Sequence, residues 1–462
     1  MKRRILSPSL VLLALMGALP LSRAADVPAT PLTLEQALAE ALEHNFAIRQ
    51  ARERIRAQEG VVTQVTAAAL PGVSAAASYQ KSSTQTILSG ATSGGSLPVF
   101  APSGGYWRMS ITARQNLYAG GGIRAAVDEA TLSRDAATLQ LKATIDEALL
   151  DVRLKFYAIL LARAQIAVEE QNLVVLERQL RDVNVRFEVG SVSNFERLRA
   201  EVAVANARAP LIKARNDHRL AIEELRRSLG RTETHPAEAS ARSIEVAGEL
   251  PLESLGIELP QALARASTQR PELQRLTRLV EAAESGVNIA RAGFLPTLAV
   301  SAGGELRKGP TDRFSDSLRG WRAGVQGGWN VASRATVGQV KQAESLVEQA
   351  RLTREETELA VQVEVRRAVA ALTQANELVT ATRKSVEQAE EALRMAEVRF
   401  RAGTSTQLEL LQAQSALTVA RASRLRADHS HSVATAQLHR AMGDSEIEYV
   451  ANTAAETLTV GK

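Results

Sequence analysis

VRFEVGSVSNFERLRAEVAVANARAP (residues 185–210), continued to LRRSLG (225–230), is read a second time as VRFRAGTSTQLELLQAQSALTVARAS (398–423) and LHRAMG (438–443). The copies align without a gap at a constant offset of 213, which sets Phe187 on Phe400, Gly190 on Gly403, Glu196 on Glu409 and Leu198 on Leu411. Upstream, residues 34–71 align on 259–296 at an offset of 225, so that Leu70-Pro71 falls on Leu295-Pro296. The chain is a duplication. A repeat of about 200 residues is a whole structural half and not a solenoid unit. Internal pseudo-symmetry of this kind is common in membrane transport proteins.

Between these fixed points the pattern is helical over residues 33–69, 123–189 and 193–229, and again over 258–294, 336–402 and 406–442. At roughly 1.5 Å per residue, the helices that start at Ile123 and Thr336 each reach on the order of 100 Å. Alanine recurs every seven residues at Ala200, Ala207, Ala214 and Ala221, and in the second copy at Ala413, Ala420, Ala427 and Ala434. Such a stripe predicts close, coiled-coil-like helix contact. Pro210, replaced by Ser423 in the second copy, predicts a local bend. Gly190 and Gly403 suit helix C-termini, while Ser193…Glu196 and Thr406…Glu409 each fit a capping box. Each half therefore contains a sharp helical hairpin.

After Pro71 and Pro296 the period changes to two. Val73, Ala75, Ala77 and Tyr79 alternate with Ser74, Ala76 and Ser78, and the return strand sets Trp107, Met109, Ile111 and Ala113 against Arg108, Ser110, Thr112 and Arg114. In the second half Leu298, Val300 and Ala302, then Trp321, Ala323, Val325 and Trp329, form the apolar set. All three tryptophans fall on these four expected strands, while the helices are nearly bare of aromatics. Tyr79, Trp107, Trp321 and Trp329 read as the aromatic girdle of an outer-membrane β-barrel. The connections, 80–105 and 307–320, read as extracellular loops. Four strands cannot close a barrel, because single-chain outer-membrane barrels start at about eight, and open edges are not tolerated in lipid. Chains must share one: two would give eight strands and three would give twelve.

Residues 1–24 read as a signal peptide: Lys2, Arg3 and Arg4, an apolar run from Leu10 to Leu19 too short for a membrane span, then Ser22-Arg23-Ala24. Its removal takes the formal charge from +5 to +1, which leaves no basic cluster for nucleic acid. The sequence has no cysteine, so neither disulfides nor a lipid-carrying N-terminal cysteine is expected. His429 and His431, two apart, do not share a helix face. Gly120-Gly121-Gly122 precedes no P-loop lysine and reads as a passage from strand to helix. No nucleophile elbow, metal motif or nucleotide fingerprint is present, so an enzyme, a metal site and a cofactor are not expected.

Taken in order, LTLEQALAEALEHN (32–45), the Leu-Pro before each first strand, NLYAGG (116–121) and RFEVG…LRAE…LRRSLG with its second copy resemble the outer-membrane efflux factors of the TolC family over nearly the whole mature chain. The resemblance implies a mostly α, internally duplicated fold with a small β part. Its long helices would form a periplasmic α-barrel, and four strands per chain would enter a shared, trimeric, 12-stranded outer-membrane β-barrel. It implies a first repeat over 25–230 (hairpin 72–118), an equatorial segment over 231–257, a second repeat over 258–443 (hairpin 297–331) and an equatorial tail over 444–462. It further implies a homotrimer, set in outer-membrane lipid and docked by a periplasmic adaptor and an inner-membrane pump, serving efflux or type I secretion. The docking turns carry over to Val189, Gly190, Ser191, Ala402, Gly403 and Thr404. The aperture positions fall on Glu409 and Gln412, departing from the paired aspartates of a well-studied member. Glu409 also reads simply as a capping residue. A periplasmic coiled-coil adaptor or structural envelope protein is the competing reading, since it would share the heptads and export signal.

Overall fold

The computed structural model describes residues 31–81, 105–231, 244–252, 256–308 and 317–444. The expected signal peptide, most of both hairpin loops and most of the tail lie outside the described residues. The elements run α1 (Leu34–His44), α2 (Phe46–Ala67), β1 (Gly72–Lys81), β2 (Gly105–Ala119), α3 (Gly122–Glu188) and α4 (Asn194–Ser228) in the first half. The second half repeats them as α5 (Leu259–Gln269), α6 (Pro271–Ala292), β3 (Thr297–Arg307), β4 (Leu318–Gly328), α7 (Arg334–Arg401) and α8 (Gln407–Met442). At 67 and 68 residues, α3 and α7 are each on the order of 100 Å long. Among the described residues, no helix is long and apolar enough to cross a membrane.

Where the sequence pattern predicts one helix over 33–69 and one over 258–294, each is broken in two, at Asn45 and Arg270. The reasons differ chemically. Asn45 leaves helical geometry so that its Oδ1 accepts from the backbone N–H groups of Ala47 and Ile48, capping α2. Arg270 is followed by Pro271, which pushes the preceding residue into extended backbone and starts α6 at its own ring. The breaks serve the same purpose. Asn45 Nδ2 donates to the Ser228 carbonyl at 2.7 Å, and Arg270 Nε donates to the Ala441 carbonyl at 2.9 Å. Ser228 and Ala441 are themselves repeat partners, so in both halves the break in the first helix ties down the C-terminus of the last.

The turn that follows requires glycine at both places. Gly230 and Gly443 have φ of 73° and 83°, and a Cβ on Gly230 would lie 2.3 Å from the His44 carbonyl oxygen. The core around these joints also keeps the repeat register. Leu225, Leu229, Val152 and Ile159 are buried in one cluster, and their counterparts Leu438, Met442, Val365 and Leu372 in another. Each buried aliphatic side chain contributes about 1.5–3 kcal/mol. The alanine stripe is buried at Ala200, Ala207 and Ala214 and at Ala420, Ala427 and Ala434. The helix α4 runs through Pro210 as one element. Helix α3 packs on α2, α4, α6 and α8, and α7 on α5, α6 and α8, so the two halves form one body.

The strands form one antiparallel sheet in the order β1-β2-β3-β4. The second hairpin is longer than its sequence pattern suggests: β3 extends to Arg307 and β4 starts at Leu318, inside the stretch expected to be loop. Gly303 and Gly304 hide this extension because they carry no side chain to alternate, and a Cβ on Gly303 would lie 2.5 Å from the Ile111 carbonyl oxygen. Trp329, expected on the strand, stands one residue past its end, where its indole N–H donates to the Phe294 carbonyl at 2.9 Å.

Around the second joint, Arg270 is only 3% exposed and donates to Glu364 at 2.7 Å, while Arg440 bridges Glu364 and Glu272, both at 2.9 Å. Burial pushes the Glu364 carboxyl up, but the hydrogen bonds and charges of Arg270 and Arg440 outweigh it and hold the group below its ordinary range. A carboxylate with a lowered folded-state pKa contributes stability that is fully present above its unfolded value and lost as pH falls through the folded one. Arg270→Ala should therefore lower stability at pH 7 by about 2 kcal/mol. In thermal melts the difference between wild type and variant should shrink below about pH 4, where carboxylates protonate; a gap of constant size down to pH 2 would contradict this account.

Candidate functional site: the sheet faces and the helical tips

Strand register sorts every sheet residue onto one of two faces. Val73↔Ala113, Ala75↔Ile111, Ala77↔Met109 and Tyr79↔Trp107 align one face across β1 and β2; Ala113↔Ala302 carries it to β3, and Val300↔Val325 and Gly304↔Trp321 carry it to β4. A bulge between Asn116 and Tyr118 keeps Tyr118 beside Leu298 on this face. It is apolar and open: Trp321 is 85% exposed, Val73 72%, Val325 69% and Ile111 61%. So large a contiguous apolar surface marks contact with lipid or another protein. Its only charges among the described residues, Lys81 and Arg319, stand at the strand ends beside the hairpin loops. Lys81 is two residues from Tyr79 and Arg319 two from Trp321, so their charges can reach polar headgroups while their stems lie along the apolar surface.

The opposite face carries Ser74, Ser78, Ser110, Thr112, Ser301 and Gln326 with four arginines, Arg108, Arg114, Arg307 and Arg322, and a single acid, Glu305. Glu305 receives Arg108 at 2.9 Å and Arg322 at 2.8 Å. A concavity of about 370 Å³ lies over this cluster, bounded by Gly303, Gly304 and Gly320. The sequence pattern placed Arg108, Arg114 and Arg322 on the polar face but missed Glu305 and Arg307, because Glu305 lies past Ala302, where the alternation was read to end, and Arg307 opened the expected loop.

At the far end of the long helices, the two turns are built alike. Gly190 (φ 75°) and Gly403 (φ 74°) end α3 and α7; the N–H groups of Ser191 and Thr404 reach back to the carbonyls of Arg186 and Arg399, each at 2.9 Å. This satisfies the last helical carbonyls in the Schellman manner. Val189, Ser191, Ala402 and Thr404 are exposed around them. The next helices start differently. Ser193 and Glu196 form a reciprocal capping box. Thr406 accepts from the Glu409 N–H, but the Glu409 carboxylate does not return to the cap. It takes the Ser405 hydroxyl at 2.7 Å and lies 3.9 Å from Arg399. Glu409 and Gln412 are both exposed, one turn apart on α8.

The hairpins are held together near their ends. Arg186 stacks on the Phe400 ring at 5.3 Å, and Gln414 donates to Asn172 at 3.2 Å. Val185, Val189, Phe195, Leu198 and Val202 form an exposed apolar run on the first tip. Between the hairpins lies a cavity of about 450 Å³ whose wall includes Asp182, Arg186, Glu196, Glu397 and Gln407. Gln407 is buried, and neither atom of its amide has a hydrogen-bond partner. Sequence reasoning missed it, since its repeat counterpart Asn194 is an ordinary exposed residue. His431 is buried in α8, and no group of three or more His, Cys, Asp or Glu among the described residues is placed to hold a metal ion.

This architecture matches known proteins over most of its length. The family model described as outer membrane efflux protein matches residues 37–231 and 262–444. Nodulation protein T of Rhizobium leguminosarum bv. trifolii is 24% identical over 430 residues, covering 87% of this chain and 84% of that protein. Outer membrane efflux protein BepC of Brucella suis is 26% identical over 288 residues, 60% of this chain and 59% of its own. Among solved structures, the outer membrane protein VceC of Vibrio cholerae superposes with a TM-score of 0.72 at 21% identity, over 89% of this chain and 96% of that one. CusC gives a TM-score of 0.72 at 17% identity, over 89% and 92%. The apolar-faced sheet, the paired long helical hairpins and the family model covering both halves lead to one conclusion: the chain belongs to the outer membrane efflux protein family.

Proposed function

We propose that three copies of this chain close a single 12-stranded barrel in the outer membrane, continued through the periplasm by their helices as one exit duct. The observation that carries this reading is the sheet itself. It has two edges, β1 and β4, that no described strand covers, and an apolar face of tyrosine, tryptophan and aliphatic residues. An open edge in hydrocarbon leaves several kcal/mol unmet at each unpaired backbone group, so β1 of one chain must pair with β4 of the next. Two chains would leave a lumen filled by side chains, whereas larger barrels keep an aqueous channel. The family membership favours an efflux channel over an adaptor or structural envelope protein.

Under the same reading residues 1–24 export the chain, the helices stand in the periplasm, and the tips meet a periplasmic adaptor and an inner-membrane pump. Efflux and type I secretion would use this conduit alike. The exposed apolar run at the first tip, with both glycine turns, supplies docking surface of the kind protein partners use. Glu409 and Gln412 would line the aperture. Glu409 is better suited to this than to capping, because its carboxylate is exposed and leaves its own helix cap unbridged.

Mass measurement in mild detergent should give three chains, and a stable monomer or dimer would contradict the closure argument. On the sheet, Ile111→Arg should impair membrane assembly at a cost of about 2–4 kcal/mol at mid-bilayer, while Ser110→Arg on the polar face should assemble normally in heat-modifiability gels. Equal damage from the two would overturn the assignment of faces. At the tip, Glu409→Ala should raise conductance in a planar bilayer and weaken block by multivalent cations added on the periplasmic side. Glu196→Ala should instead only loosen its helix start, by about 1 kcal/mol.

A further inference from the structure

We propose that the barrel of this duct is a positively charged collar that favours anionic solutes, the class of carboxylates, phosphates and sulfates. The inference rests on the trimeric duct proposed above. Each chain places four arginines and one glutamate on the polar face of its sheet, a net charge of +3 among the described residues. With the apolar face in lipid, that polar face can only turn toward the lumen. The hairpin loops offset at most one of these charges: residues 82–104 contain no charged side chain, and residues 309–316 contain Asp312, Arg313 and Asp316, a net −1.

The arrangement keeps the charge available. Glu305 is consumed by Arg108 and Arg322, whereas Arg114 and Arg307 have no acidic partner among the described residues and are exposed. Arg108 and Arg307 stand directly opposite each other in the β2–β3 register. Like charges there are unfavourable, and Glu305 offsets only the Arg108 member of the pair, leaving Arg307 to attract a further anion. The surrounding lumen positions are Gly303, Gly320 and Gly324, which leave the concavity open above the guanidinium groups. Arg108, Arg307 and Arg322 lie toward the hairpin loops and so toward the outer mouth, with Arg114 deeper. Three chains about one axis would turn each of these into a ring. Rings of arginine or lysine select anions, and the low-dielectric wall behind them focuses their field into the lumen. The guanidinium fork also matches carboxylate and phosphate oxygens two at a time. The collar lies at the opposite end of the duct from Glu409, so the two charges act on different sides.

The test uses full-length protein in planar bilayers, with inorganic hexametaphosphate as the probe. Added at the outer side, it should block current, and Arg114→Gln/Arg307→Gln, which removes from every chain both guanidinium groups that lack an acidic partner among the described residues, should weaken that block by about tenfold. Neither residue pairs with Glu305, so the substitution strands no carboxylate. Arg307→Lys should keep the block, because it keeps the charge. Conducting wild-type channels that hexametaphosphate does not block from the outer side, or a block unchanged in the double variant, would overturn the collar while leaving the duct intact. Trimers that conduct nothing would instead overturn the duct reading and the collar with it.

Discussion

Backbone hydrogen bonding in a medium without water is the constraint on which the rest of this architecture depends. Each strand from β1 to β4 presents N–H and C=O groups that need partners, and the inner three pairings supply them within the chain. The outward sides of β1 and β4 do not. In water such edges are a hazard managed by charge or by a bulge, but Gly72–Lys81 and Leu318–Gly328 carry only Lys81, Arg319 and Arg322 as charges, all near the loop ends or on the polar face. Their middle residues are small or apolar and ready to pair. Oligomerisation is then a condition for the sheet to exist in lipid at all, and the symmetry of the assembly follows from how many strands a water-filled lumen needs.

Duplication solves a second problem, that of mounting a strand pair on two very long helices without letting them splay. The answer is the joint repeated at Asn45 and Arg270. In each half a broken first helix receives the C-terminus of the last, through one side-chain donor to a helix-end carbonyl and a glycine turn that tolerates contact at about van der Waals distance or less. The chemistry has diverged between the halves. The first uses a neutral amide and the second a guanidinium in an ionic network with Glu364, Arg440 and Glu272. Beside the first joint, Arg231 pairs with Glu40 across the glycine turn, so both joints also carry an ion pair. Nearby, Leu32 bridges to Val246, and Arg163 donates to the carbonyls of Val246 and Gly248, so residues from the segment between the repeats gird the helices at this level.

Charge is distributed with similar economy. Arginines gather on one face of the sheet near the outer end, and the exposed Glu409 stands at the opposite end of the helices. A solute moving along the proposed duct would meet these two groups at opposite ends of its path. Such separation is possible because each charge sits more than several screening lengths from the other. It also means that a single number for ionic selectivity describes whichever end is narrower.

Much of this was legible in the sequence because it rests on periodicity. The offset of 213 carried the hairpins, their glycine turns and the alanine seam, and alternation carried both faces of β1 and β2, since period two in a strand leaves no freedom about which side a residue takes. What the sequence could not decide were the features set by contacts between distant segments. The breaks at Asn45 and Arg270 have local causes, a side-chain cap and Pro271, but the carbonyls they tie down, of Ser228 and Ala441, lie about 180 and 170 residues away. The strand through Gly303 and Gly304 is specified by the close approach of the Ile111 backbone and not by any side chain of its own. Ser405 draws the Glu409 carboxylate away from the cap that Glu196 completes, a local competition that residue types alone leave balanced. The repeat, the helices and the two-faced strands came from pattern; the joints, the extended hairpin and the pairing of Glu305 with its arginines came only from three-dimensional proximity, because no period encodes which carbonyl or carboxylate lies across a fold.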